Sequence, residues 1–137
     1  MNNKINHLTN KEYEIMKILW ESDRPLLISD ILLKADNIAD NSLHPMIKKL
    51  IKNGFIKVVG NVRVVKTTSR LYAPAVSVDE YAAMQLEEIF RTSNKKLNLG
   101  NIVSYFAKHH KKDEKVISEL ENFIKQYKEE NIDNQES

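Results

Sequence analysis

Between Leu43 and Val59 the apolar residues change their period, and that change constrains the fold more than any other feature of the chain. Leu43, Met46, Ile47, Leu50 and Ile51 recur as one stripe of an α-helix. Phe55-Ile56-Lys57-Val58-Val59 is a short run rich in β-branched residues, which predicts a strand. Asn53-Gly54 stands between them, and glycine reaches the left-handed backbone that ends a helix at little cost. An amphipathic helix that feeds directly into a strand must share one core with it, so the neighbouring segments decide the architecture.

Upstream, Thr9-Asn10-Lys11-Glu12 reads as a capping box, with Leu8 and Tyr13 placed as its hydrophobic staple. Tyr13, Met16 and Trp20 follow at helical spacing, with Ile15 and Leu19 beside them, and Trp20 is read as a core anchor. Ser22-Asp23-Arg24-Pro25 ends this first helix. Leu26-Leu27 suits a brief edge strand, and Ile28 to Ala35 a second, short helix. Ala39-Asp40-Asn41-Ser42 supplies the cap candidates for the third. Downstream, Gly60-Asn61 is expected to break the strand, and Arg70-Leu71-Tyr72-Ala73 to return antiparallel, closed by Pro74. Helix, short helix, helix and β-hairpin is the order of a winged helix-turn-helix, in which the third helix enters the major groove and the basic hairpin lies along the phosphates.

Charge points the same way. Residues 1–76 carry 12 Lys/Arg and 7 Asp/Glu, a balance of +5, whereas residues 77–137 carry 9 and 12, a balance of −3. From Asn41 to Arg70 there are seven basic side chains (Lys48, Lys49, Lys52, Lys57, Arg63, Lys66, Arg70) and no carboxylate. Such a stretch suits a phosphate-facing surface, although charge alone fits a solvated lysine face equally well. On the third helix, Asn41, Ser42, Pro45, Lys48, Lys49 and Lys52 fall opposite the apolar stripe, with His44 at its flank.

After Pro74 the pattern is helical throughout. Ser77-Val78-Asp79-Glu80 is a second capping box, with Val76 and Tyr81 as its staple, opening a helix to about Thr92 that is expected to bury Ala82, Ala83, Leu86, Ile89 and Phe90. Another helix covers roughly Gly100 to His109, with Ile102, Val103, Tyr105 and Phe106 apolar. A third starts near Asp113 and carries Val116, Leu120, Phe123 and Tyr127 in one seam, widened by Ile117 and Ile124. A stripe that wide needs cover, either from its own domain or from a second subunit, and a small appendage finds more of it in a partner. The expected organisation is mainly α with a small β-hairpin wing. It comprises a winged-helix DNA-binding domain over 1–74, a helical dimerisation domain over 75–130 and a disordered polar tail over 131–137.

Three segments carry a resemblance. Leu8 to Trp20, Ile47 to Ile56 and Arg70-Leu71-Tyr72-Ala73-Pro74 are similar, in order and spacing, to the opening helix, the third-helix end and the wing return of the penicillinase-repressor (BlaI/MecI/CopY) family. The resemblance extends from Leu8 to about Tyr127 and implies a homodimeric repressor on palindromic double-stranded DNA operators ahead of resistance or metal-homeostasis genes. It further implies groove-reading positions at Asn41, Ser42, His44 and Pro45, and phosphate contacts at Lys48, Lys49 and the wing. The interlocking helical arm would use the apolar positions named above, Leu86, Ile89 and Phe90 included.

This chain departs from the family pattern in three places. Pro45 stands where threonine is common, and the helix is expected to start at Asn41 or Ser42 so that the ring sits in its first turn, with an altered DNA preference. Some members are inactivated by a membrane-bound sensor protease that cuts an Asn–Phe bond; here the residues read Ser104-Tyr105-Phe106. The copper-responsive branch carries a C-terminal cysteine cluster, and this chain has no cysteine.

The absence of cysteine also removes disulfides, thiolate metal sites and cysteine nucleophiles. His109-His110 are adjacent, whereas zinc on a helix wants a spacing of three or four, so no metal and no cofactor are expected. No nucleophile–base arrangement or glycine-rich phosphate loop stands out, with three glycines in the chain, and no enzyme is expected. No signal or membrane-spanning segment is visible, so a cytoplasmic location without membrane insertion is expected. Two rivals remain: a winged-helix module binding an acidic protein, and a ligand-responsive repressor of another winged-helix family. The carboxylate-free stretch argues against the first, and the short arm, with little room for an enclosed pocket, against the second.

Overall fold

A computed structural model describes residues 7–93, 97–110 and 114–136. Six helices and one hairpin follow in the order α1 (Asn10–Glu21), α2 (Ile28–Lys34), α3 (Asp40–Lys52), β1 (Ile56–Val64), β2 (Thr67–Pro74), α4 (Val78–Ser93), α5 (Leu99–His109) and α6 (Glu114–Glu136). This is the winged helix plus helical segment expected from the sequence. The chain forms two compact units that divide between Thr92 and Ser93.

In the first unit the local signals act as the chemistry requires. The Thr9 amide donates to Glu12 Oε1 at 3.0 Å and the Glu12 amide to Thr9 Oγ1 at 3.2 Å, closing the capping box of α1. At the end of α3, the Phe55 amide donates to the Leu50 carbonyl at 2.9 Å and the Gly54 amide to Ile51 at 3.1 Å. That bond pair, with Gly54 at φ 86, is a Schellman stop, and it turns the chain into β1. The core collects Ile15, Met16 and Leu19 from α1, Ile31 from α2, Leu43, Ile47 and Leu50 from α3, and Phe55, Ile56 and Tyr72 from the hairpin base. Each such side chain contributes about 1.5–3 kcal/mol through burial, before chain entropy is counted. Leu26 exchanges two backbone bonds with Tyr72, at 2.9 and 2.8 Å, and so extends the sheet by one bridge on the free side of β2.

Several boundaries differ from the sequence expectation. Helix α3 begins at Asp40, not at Asn41 or Ser42, because the Ala39 carbonyl already accepts from Ser42 and Leu43. Pro45 therefore lies inside the helix, beyond its first turn. Gly60-Asn61 does not break β1. The strand continues to Val64, and a β-bulge between Val58 and Gly60 absorbs one extra residue. The valines on either side favour extended backbone, and the ladder to β2 outweighs one glycine. The hairpin turn is Val65-Lys66.

On α4 the capping box is present: the Ser77 amide donates to Glu80 Oε1 and the Glu80 amide to Ser77 Oγ, both at 3.0 Å. The face that packs on the core, however, carries Tyr81 and Met84. Ala82, Ala83, Leu86, Ile89 and Phe90 are not buried in the single chain. The reason is an aromatic joint. Trp20 donates its indole N–H to the Val76 carbonyl at 2.8 Å, the Leu8 amide donates to the Tyr81 hydroxyl at 3.0 Å, and the Tyr81 ring lies against Trp20, Tyr13 and Phe55.

In the second unit, Asn98 caps α5 by accepting from the Asn101 amide at 3.1 Å. Asp113, the expected cap of α6, lies outside the described residues. Helix α6 runs to Glu136, past Asn131, where the sequence predicts a frayed tail; no glycine or proline follows Asp113 to stop it.

Candidate nucleic-acid interface

The third helix buries Leu43, Ile47 and Leu50 and turns Asn41, His44, Pro45, Lys48, Lys49 and Lys52 outward, with Ser42 half-buried. The burial follows from the 3.6-residue period, since residues opposite the apolar stripe must meet solvent or a ligand. Two grooves flank this outer face. One, of ≈ 410 Å³, is lined by His44, Lys48 and Ile51 of α3 and by Thr68, Ser69, Arg70 and Tyr72 of β2, among others. The second, of ≈ 400 Å³, lies on the other flank, between Pro45, Met46 and Lys49 and the start of α1.

The hairpin explains why Arg70 faces α3. Side chains alternate along a strand, so Tyr72, Arg70 and Thr68 share one face, and Tyr72 is buried. Arg63 stands opposite Thr68 and Asn61 opposite Arg70, so both belong to that same face. The ribbon that anchors itself through Tyr72 thus presents its guanidinium groups on the side of α3. Lys66 sits in the turn, exposed like Arg63 and Arg70. A strand of phosphates fits such a channel, with Lys48 on one wall and Arg70 on the other.

Lys49 is the exception among the expected phosphate contacts. Its Nζ lies 3.6 Å from Oε2 of Glu12, whose side chain is only 7% exposed. Glu12 thereby serves both the capping box and a lysine of α3. Thr68 and Ser69 also line the groove, and sequence reasoning misses them; alternation with Arg70 and Tyr72 is the signal that could find Thr68, whereas Ser69 has no such signal.

Residues 8–126 match the sequence profile of the penicillinase repressors. The chain belongs to the penicillinase repressor family. Members of this family are regulators rather than enzymes, and the family makes this chain a DNA-binding transcriptional repressor. A comparison with curated proteins returned no match.

In the repressor's helical segments, most of the residues expected to mediate dimerisation are exposed. Leu86, Ile89 and Phe90 on α4 are exposed, as are Ile102, Tyr105 and Phe106 on α5 and Phe123, Ile124 and Tyr127 on α6. Val116 and Leu120 are half-buried. Between Ala73 and Glu130, none of the described residues is buried. His109 and His110 stack on Tyr105 and Phe106, one helical turn back, with ring centroids 4.1 and 4.5 Å apart. No helix among the described residues is long and apolar enough to cross a membrane.

Proposed function

We propose that the repressor works in the cytoplasm as a homodimer on a two-fold-symmetric operator. Helix α3 reads base edges through Asn41, Ser42, His44 and Pro45, and Lys48, Lys52, Arg63, Lys66 and Arg70 hold the phosphates. The observation that carries this reading is the convergence of His44, Lys48 and Arg70 on one groove in a thirty-residue stretch without a carboxylate. A surface of that kind is costly beside any partner except a polyanion.

The dimer follows from the apolar faces of α4, α5 and α6. So many exposed large apolar side chains exceed what a monomeric surface normally carries. A second copy offers the same faces, which a two-fold axis makes self-complementary. Two α3 helices related by that axis want half-sites about one helical turn, or a multiple of it, apart. The family supports transcriptional repression; occupancy of such sites ahead of resistance or stress-response genes is the form of it proposed here.

Selection of bound duplexes from a random pool tests the reading. The expected result is an inverted repeat with that spacing, bound as two chains per duplex. Enrichment of no sequence, together with no association with any duplex at low ionic strength, would favour the protein-binding alternative and overturn this one.

A further inference from the structure

The tip of the hairpin combines two properties that seldom occur together. Val65 has φ 56, and among the described residues it is the only one other than glycine with positive φ. A β-branched side chain there is an outlier, since the turn position normally takes Gly, Asn or Asp. Val65 is also 86% exposed, so packing within its own chain does not account for the choice. A strained conformation that holds an apolar side chain out into solvent points to a contact outside the chain.

The surroundings identify that contact. Lys66 shares the turn, Arg63 and Thr68 follow it down the ribbon, and no carboxylate occurs between Asn41 and Arg70. From the Val58–Tyr72 pair at the hairpin base to Val64 the strand reaches about 20 Å at 3.3 Å per residue. With α3 in the major groove, the neighbouring minor groove lies half a helical turn away, about 17 Å along the duplex. The ribbon is long enough to cross the phosphates between them.

We propose that Val65 enters the minor groove beside the bases read by α3, with Arg63 and Lys66 on the phosphates that flank it. The inference rests on the DNA-binding reading above. An isopropyl group offers no hydrogen bond to a base edge, so its selectivity is steric: the guanine 2-amino group stands on the minor-groove floor, and A·T pairs lack it. Val65 is thereby a specificity residue for base pairs outside the α3 contacts.

The test compares the full-length protein with Val65→Gly and Val65→Asn, both compatible with the left-handed backbone, on duplexes selected by the unaltered protein. The expected result has opposite signs. Both variants melt at the same temperature or higher, yet bind about tenfold more weakly, and their A·T preference at the flanking pairs disappears. Placing G·C at those pairs weakens the unaltered protein, and inosine·C, which lacks the 2-amino group, restores it; the variants respond to neither change. Affinities within twofold of the original and unchanged flanking preference would overturn the inference while leaving the DNA reading intact. A lower melting temperature in both variants would also overturn it, by showing that Val65 is held by its own fold. Failure of the unaltered protein to bind any duplex would remove both.

Discussion

Lys49 on α3 places its ammonium 3.6 Å from Oε2 of Glu12, a carboxylate at the start of α1 that also accepts the Thr9 amide. The ion pair divides three lysines that look equivalent in the sequence. Lys48 and Lys52 are exposed on the outer face of α3, whereas Lys49 already has an anionic partner. In a titration of operator affinity against salt, Lys48→Ala and Lys52→Ala should each flatten the slope by about 0.9 log units for every phosphate left without its cation. Lys49→Ala should alter it by less than half of that. Equal slopes for all three variants would show that Glu12 yields Lys49 to the DNA.

Pro45 occupies a position beyond the first turn of α3, where its missing amide leaves the Asn41 carbonyl without its helical donor. A proline in a helix interior costs about 3 kcal/mol, and retention of such a residue on an exposed recognition face suggests a role in binding. Pro45→Ala should therefore raise the unfolding free energy, by about 1–3 kcal/mol in denaturant titration. Pro45→Thr should shift the bases enriched in a selection experiment. A variant that gains no stability would mean that α3 starts later in solution, and an identical selection profile would remove Pro45 from the base contacts.

The Trp20 indole donates to the Val76 carbonyl at 2.8 Å while its ring lies 5.8 Å from that of Tyr81, so α4 is fastened to α1 by a polar and an apolar contact together. Replacing Trp20 by Phe keeps most of the apolar area and removes the donor, at a cost of about 1–3 kcal/mol for the carbonyl left unpaired. By the same reasoning, a chain ending at Pro74 lacks Val76, Tyr81 and Met84 and should melt well below one ending at Thr92. Indistinguishable melting curves for the two truncations would assign the joint no share in stability.

Which parts of this fold are legible in the sequence depends on how local their causes are. Both capping boxes and the Asn53-Gly54 stop are readable because each is decided by residues within a turn of one another. Gly60-Asn61 reads as a break and is not one, since the pairing of Gly60 with Leu71 is a non-local fact that the glycine alone does not reveal. Tyr81 belongs visibly to a staple, but its ring contacts with Tyr13, Trp20 and Phe55 arise from residues far away in the chain. In the candidate interface, periodicity suffices to set Lys48 and Lys52 outward. It cannot separate Lys49 from them, because the distinguishing residue, Glu12, lies on another helix.

The apolar faces of the second unit carry the last prediction. Phe123 and Tyr127 stack at 6.4 Å along α6, and they are 65% and 57% exposed; Phe106 on α5 is 45% exposed. Left in water, three aromatic rings forfeit burial that is worth several kcal/mol together, at about 25 cal/mol per Å². A second copy recovers that area, so the protein should sediment as a dimer at micromolar concentration. Phe123→Asp, which would bring an unpaired charge into such an interface, should shift it to a monomer. Because Phe123 is exposed in the single chain, the substitution should leave helix content unchanged by circular dichroism, separating loss of association from loss of folding. The monomeric variant should also bind a two-half-site operator with the affinity of a single half-site, since the two α3 helices would no longer be linked. A Phe123→Asp protein that remains dimeric would move the interface to α4, where Leu86, Ile89 and Phe90 offer the alternative apolar face.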